Sequence, residues 1–187
     1  MAVQCFWETM IMSAFVFTRR ALGLSALGLT GLSLGASRPA LAALAKPTDK
    51  PILTISGKIT ITNDGDKASF DRAMLEALGM QKFTTHTKWD NDAVTFEGPL
   101  MSAVMDAVGA KGETAQAVAL NDYHTDIPIS DFVQYKPILA LKRDGAYMSV
   151  REKGPLFVVY NYDSDPELKQ QKYYGRSAWQ VAQFVIK

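Results

Sequence analysis

Thiols are almost missing from this chain: its one cysteine is Cys5, ahead of a segment that reads as a leader. The residues after that leader therefore cannot form a disulfide, a thiolate nucleophile or a cysteine–metal bond. Histidine is nearly as scarce, with only His86 and His124. A zinc site would need both plus a carboxylate such as Asp122 or Asp126, and neither H-x-x-x-H nor H-E-x-x-H spacing occurs, so no metal ligand is assigned. Basic runs are absent too, and 20 Lys plus Arg against 19 Asp plus Glu leave a formal charge of +1. That balance excludes nucleic acid as a partner. No G-x-S-x-G, phosphate loop or dinucleotide fingerprint is present, and there is no internal repeat or low-complexity tract.

Long apolar runs are also lacking except near the N-terminus. Residues 17–42 read FTRRALGLSALGLTGLSLGASRPALA. Arg19 and Arg20 form a positive head, Ala21 to Leu34 an uncharged apolar stretch, and Ala40-Leu41-Ala42 a small-x-small cleavage site. Ala43-Leu44-Ala45 repeats the pattern, so cleavage after Ala42 and after Ala45 read equally well. The arginine pair resembles a twin-arginine signal, with Ala21 where that pattern carries phenylalanine, and the general secretory route is the alternative. The apolar stretch falls short of the roughly 20 residues a spanning helix needs, and it ends in Ser37-Arg38-Pro39. The expectation is a leader over 1–42, a linker over 43–50 and a single periplasmic domain over 51–187 with no membrane span. Residues 1–11 do not fit a leader head, and Met12 followed by Ser13 makes a better start.

Period and punctuation then give the order of elements. Ile52 to Ile61 alternates apolar and polar as a half-buried strand does. Asn63-Asp64-Gly65-Asp66 is a turn. Ser69 is placed to cap a helix through Phe70, Met74 and Leu78 that Gly79 stops. Lys82 to Thr87 and Val94 to Gly98 read as strands, and Pro99 opens a second helix that Gly109 ends. Thr114 to Leu120 reads as a buried strand, turned by Asn121-Asp122-Tyr123 into a returning strand over 125–129. A helical turn follows at 131–135. Lys136 to Leu141 leads to a hairpin turn at Arg143-Asp144-Gly145, and Leu156 to Tyr160, the most apolar stretch, is predicted as a central strand. Leu168 to Tyr174 is a short helix or an extended arm, and a strand over 179–186 closes the chain. These elements sum to a mixed, strand-rich α+β domain with two main helices.

Several phrases in this order resemble the molybdopterin-binding domain of the sulfite oxidase family. They are Trp89 with Val94-Thr95-Phe96-Glu97-Gly98 and Leu100; Leu120-Asn121-Asp122-Tyr123; Ile138 to Gly145; Gly154 to Tyr160; and Arg176-Ser177-Ala178-Trp179. Together they cover most of residues 51–187. The resemblance implies an α+β fold whose cleft holds a molybdenum cofactor, the metal being bound by the pterin dithiolene and one protein cysteine. That cysteine stands a few positions before the tryptophan, where this chain has Thr85 or, with a slip of one, His86. A hydroxyl is a poor substitute for a soft thiolate at a redox metal, and an imidazole is the other substitute on offer. Arg176 and Ser177 would hold an anionic group, although Ala178 stands where family members carry a further cation. The implied cofactor positions are Thr85, His86, Trp89, Asn121, Asp122, Tyr123, Tyr160, Arg176 and Ser177, with no catalytic residue assigned.

Two readings of function stay open on these residues. One is a degenerate molybdopterin-binding-like domain that works in the periplasm as a ligand-binding, sensing or partner module. Its ligand would be a pterin or another small anion, and its partner the outer part of a membrane signalling protein. The other is a molybdenum-cofactor oxidoreductase with a non-cysteine ligand, passing electrons to a separate redox subunit. Arg72 and Arg143 are expected on the surface, which leaves few cations for a sulfite-like substrate. The aromatic concentration at Tyr160, Tyr162, Tyr173, Tyr174 and Trp179 is expected either as an exposed groove or as separately buried core residues.

Overall fold

The computed structural model describes residues 44–187, so the expected leader over 1–42 lies outside the described residues. Eleven strands and four short α-helices make up the domain, a strand-rich α+β fold. The first sheet contains β1 (Leu53–Gly57), β2 (Ala68–Phe70), β5 (Thr114–Ala119), β6 (His124–Pro128) and β11 (Val181–Ile186), in the order β2-β1-β11-β5-β6. Only the β1–β11 pairing is parallel. A four-stranded antiparallel sheet runs β3 (Met80–Thr85), β4 (Val94–Pro99), β8 (Lys142–Arg143) and β9 (Ala146–Tyr147). The remaining pair is β7 (Ile138–Ala140) with β10 (Phe157–Val159), also antiparallel.

Glycine and short side chains make the joint between the sheets. Gly98 of β4 lies so close to β7 that a Cβ there would overlap the Leu139 carbonyl oxygen. Leu141 then donates its N–H to the Glu97 carbonyl at 2.9 Å, which carries the chain from the β7–β10 pair into the four-stranded sheet. Between the layers lies one core that includes Ile55, Phe70, Phe96, Val104, Phe157 and Phe184, each 1% exposed or less. Burial of such side chains contributes about 1.5–3 kcal/mol each before conformational entropy is charged against it.

Several expectations shift by physical necessity. The first helix, α1 (Arg72–Ala77), is capped by Asp71, whose Oδ1 accepts from the Met74 N–H at 2.9 Å; Ser69 instead lies within β2. Asp71 Oδ2 also receives the N–H groups of Thr48 and Asp49, so one carboxylate caps the helix and ties down the segment before β1. Besides α1 and α2 (Met101–Ala107), α3 (Ile129–Gln134) stands where a helical turn is expected, and α4 (Gln171–Arg176) settles the 168–174 segment as a short helix. Burial in β5 alternates residue by residue, so it is a one-faced strand. The apolar run at β10 is fully buried yet pairs with β7 alone in its ladder.

Candidate functional site

Thr85 ends β3 and is fully buried. Its hydroxyl accepts the Asp163 N–H at 3.1 Å, and Asp163 Oδ2 in turn receives the His86 N–H at 2.7 Å and contacts His86 Nδ1 at 2.9 Å. Lys169 Nζ adds a 2.9 Å ion pair to Oδ1. The His86 N–H, then Lys169 and the His86 ring, hold the Asp163 carboxyl far below the ordinary carboxylate range. The strand that the resemblance makes a metal-ligand strand is therefore latched to the loop after β10. Its hydroxyl is buried and accepts one hydrogen bond from that loop, and the His86 side chain is 65% exposed beside it.

Trp89 stands four residues beyond Thr85 in a loop pinned by a carboxylate that the sequence did not reveal. Asp90, its side chain only 10% exposed, accepts from Thr87 Oγ1 at 2.7 Å, Arg143 at 2.8 Å and Lys153 at 3.4 Å. Burial pushes its carboxyl up, but the Thr87 hydroxyl and the two cations outweigh that and leave it lowered. Arg143, expected on the surface, is 31% exposed and ion-paired to this carboxylate. The loop so held packs the Trp89 ring edge-on against Phe157, Tyr174 and Trp179.

Arg176 and Ser177 close α4, and both are used internally. Arg176 donates to Asp131 Oδ2 at 2.8 Å, the same oxygen that accepts the Tyr160 hydroxyl at 2.8 Å. Ser177 donates to the Tyr173 carbonyl at 2.8 Å, so the Tyr162 hydroxyl donates to Ser177 Oγ. Burial, with the Asp131 charge second, pushes the Tyr160 phenol well above its usual range, and burial likewise raises Tyr162. Every buried polar side-chain atom among the described residues has a partner. Neither Asp131 nor Asp163 carries a local sequence signal, because their partners lie far away along the chain.

Open surface survives on one side of Trp89. The β5–β6 turn places Asn121, with Asp122 at φ 62° and Asn121 Oδ1 accepting the Tyr123 N–H at 3.2 Å, a turn that Asn and Asp make readily. Asn121 and Tyr123 face α4 across a cleft of about 250 Å³ that is also lined by Lys88, Gln171, Tyr174 and Trp179, with Ser177 at its back. The Lys88 ammonium stands 5.0 Å from the Tyr174 ring centre and 5.3 Å from that of Trp89, and contacts Gln171 Oε1 at 3.4 Å. Among the described residues it has no carboxylate in ion-pair range. The result is an aromatic-walled recess with two amides and one cation.

Of the positions implied by the resemblance, Asn121, Tyr123 and Ser177 meet at this recess, and Trp89 lies behind its wall. Thr85 and Tyr160 are sealed in the interior, His86 belongs to the Asp163 latch, and Asp122 is exposed on the turn. A larger cleft of about 400 Å³, lined by residues including Lys82, Tyr135, Lys136 and Asn161, holds none of them. Molybdopterin does not fit the donors present: of the two candidate ligand positions, Thr85 is a buried hydroxyl already hydrogen-bonded and His86 is held by Asp163, and the anion-binding pair is spent on Asp131 and Tyr162. Among the described residues no three His, Cys, Asp or Glu side chains cluster as a metal site, and no helix is long and apolar enough to cross a membrane. Neither protein-family models nor curated proteins give a match to this chain.

Proposed function

We propose that this protein is an exported, non-redox ligand-binding module on a molybdopterin-binding-like scaffold, taking a small organic anion with a flat apolar face. The observation that carries this reading is the recess beside Trp89. Tyr174 and Trp179 supply rigid aromatic walls, Asn121 and Gln171 supply amide donors and acceptors, and Lys88 supplies charge. A ligand carboxylate or phosphate at Lys88 would gain a charge-assisted hydrogen bond, while its apolar body displaced water from the rings. The recess is small for a drug-sized ligand, so a compact one is implied. The oxidoreductase reading loses support from the same geometry, because Thr85 is fully buried against Asp163 and Arg176 is ion-paired to Asp131.

The domain carries its own reporters, since Trp89 and Trp179 are the only tryptophans in residues 44–187. Protein exported from a host that makes molybdenum cofactor should contain no stoichiometric molybdenum or pterin by mass spectrometry and oxidative pterin fluorescence. Tryptophan quenching by a panel of aromatic and heteroaromatic carboxylates and phosphates should saturate for at least one member. Lys88→Ala should weaken that ligand about tenfold, the loss of one charge-assisted bond of about 1.5 kcal/mol. Near-stoichiometric molybdenum would overturn the proposal, as would a panel in which nothing saturates.

A further inference from the structure

Five of the seven tyrosines and both tryptophans of the described residues form one unbroken string. From the recess inward, Trp179 lies 5.5 Å from Trp89 between ring centres, Trp89 lies 5.7 Å from Tyr174, and Tyr174 lies 4.8 Å from Tyr162. Tyr162 is 6.4 Å from Tyr160, Tyr160 is 5.5 Å from Tyr173, and Tyr173 is 5.1 Å from Tyr135. Each separation is that of rings in contact. Both ends reach solvent: Trp179 is 37% exposed beside the recess, and Tyr135 lines the larger cleft. The middle is dry, with Tyr160 and Tyr162 wholly buried.

Packing alone does not require this composition. Phenylalanine fills the same space without bringing in a hydroxyl that costs free energy unless it is bonded. Here each buried tyrosine hydroxyl has been given a partner, and two of the partners are carboxylates: Asp131 on Tyr160, and Glu167 on Tyr173 at 2.8 Å. Indole and phenol are the protein side chains most readily oxidised by one electron without a thiol, and a phenol gives up an electron easily only when a base takes its proton.

We propose that the string is a conduit for single oxidising equivalents, running from the Trp179 surface to a proton-coupled terminus at Tyr173 and Glu167. An outer-sphere one-electron oxidant beside Trp179 takes one electron from its indole and is itself reduced by one. Trp89 refills Trp179, and the vacancy passes along Tyr174, Tyr162 and Tyr160, which act as short-lived bridges. Tyr173 finally gives up the electron, and its phenolic proton moves to the Glu167 carboxylate. The state formed is a neutral tyrosyl radical beside a protonated Glu167. An external one-electron donor at the Tyr135 side returns the electron, and Glu167 returns the proton. The inference does not depend on what the recess binds.

The test injects the vacancy at a known place. Leu120 is 53% exposed, and its N–H is bonded to the Gln180 carbonyl, which fixes it next to Trp179. A ruthenium polypyridyl attached at Leu120→Cys, in full-length protein carrying Cys5→Ser and Tyr123→Phe, is photo-oxidised to the trivalent state and followed by transient absorption and electron paramagnetic resonance. A tryptophan radical should appear and decay into a tyrosyl radical. Adding Trp89→Phe should abolish the tyrosyl signal, and adding Tyr147→Phe, off the string, should leave it intact. If Trp89→Phe fails to fold, Tyr162→Phe keeps the ring and should slow tyrosyl growth. A tryptophan radical that decays with no tyrosyl growth overturns the proposal, as does a tyrosyl yield indifferent to Trp89→Phe or a rate of tyrosyl growth indifferent to Tyr162→Phe.

Discussion

Asp131→Ala is the sharpest probe of the buried polar cluster. Asp131 is 5% exposed and is the sole acceptor for the Tyr160 hydroxyl, which has no route to water. Removing the carboxylate orphans that hydroxyl, at about 1–3 kcal/mol. It also frees Arg176, but that side chain is 25% exposed and can rehydrate, so its share is about 1 kcal/mol. The expected loss is about 3 kcal/mol, or a melting temperature roughly 6–12 °C lower for a domain of this size. Tyr160→Phe alone should cost about 1 kcal/mol, because Arg176 still satisfies Asp131. In the double variant no hydroxyl is left to be orphaned, so the two losses should fall short of additivity by about 1–2 kcal/mol. Urea denaturation with a common slope measures this directly. Additivity within about 0.5 kcal/mol would refute the claim that an orphaned hydroxyl dominates.

Acid should loosen the fold in a definite direction. Asp71, Asp90, Asp163 and Glu167 all have carboxyls lowered by their partners: the Met74 N–H foremost for Asp71, Thr87 and the cations against burial for Asp90, the His86 N–H for Asp163, and Lys172 for Glu167. Below an ordinary carboxylate value of about 4 the unfolded chain binds more protons than the folded one, so stability is full above that point and lost as pH falls beneath it. Urea midpoints should be flat from neutral pH to about 5 and then decline, with Asp163→Asn giving a shallower decline; a parallel decline would remove Asp163 from the account. Gly98→Ala should cost about 1–3 kcal/mol by driving β4 from the Leu139 carbonyl, seen as a lower urea midpoint, and an unchanged midpoint would contradict the close approach. Thr85→Cys should acquire no molybdenum when expressed with the cofactor, because the side chain is sealed against Asp163; metal uptake would show the site opens.

Local pattern accounts for what was readable. The β5–β6 hairpin and its Asn121-Asp122-Tyr123 turn follow from alternation and turn chemistry, and α2 follows from helical spacing between Pro99 and Gly109. The β10 run has β7 on one edge and only a single bridge, Phe157 to Trp179, on the other, because apolarity reports burial and not the extent of strand pairing. Ser69 misleads because Asp71, two residues later, is the better-placed cap. Within the site, Asn121, Tyr123 and Ser177 line one recess, whereas Thr85 and Asp163 meet across 78 positions that no local window spans. The aromatic residues follow neither expected pattern: Tyr162 and Tyr173 are buried, yet in contact with one another's neighbours and not separately.

The placement of β11 bears on timing as much as on structure. Residues 181–186 lie between β1 and β5, so until they arrive those two strands face each other across a gap, each with an open edge. A nascent chain can form the β3–β4 hairpin early, since its contacts are local, but the five-stranded sheet waits for residues made more than a hundred positions after β1. Folding of this domain is thus gated by synthesis: chains stalled before residue 181 hold exposed strand edges, which suits them to chaperones and proteases and not to function.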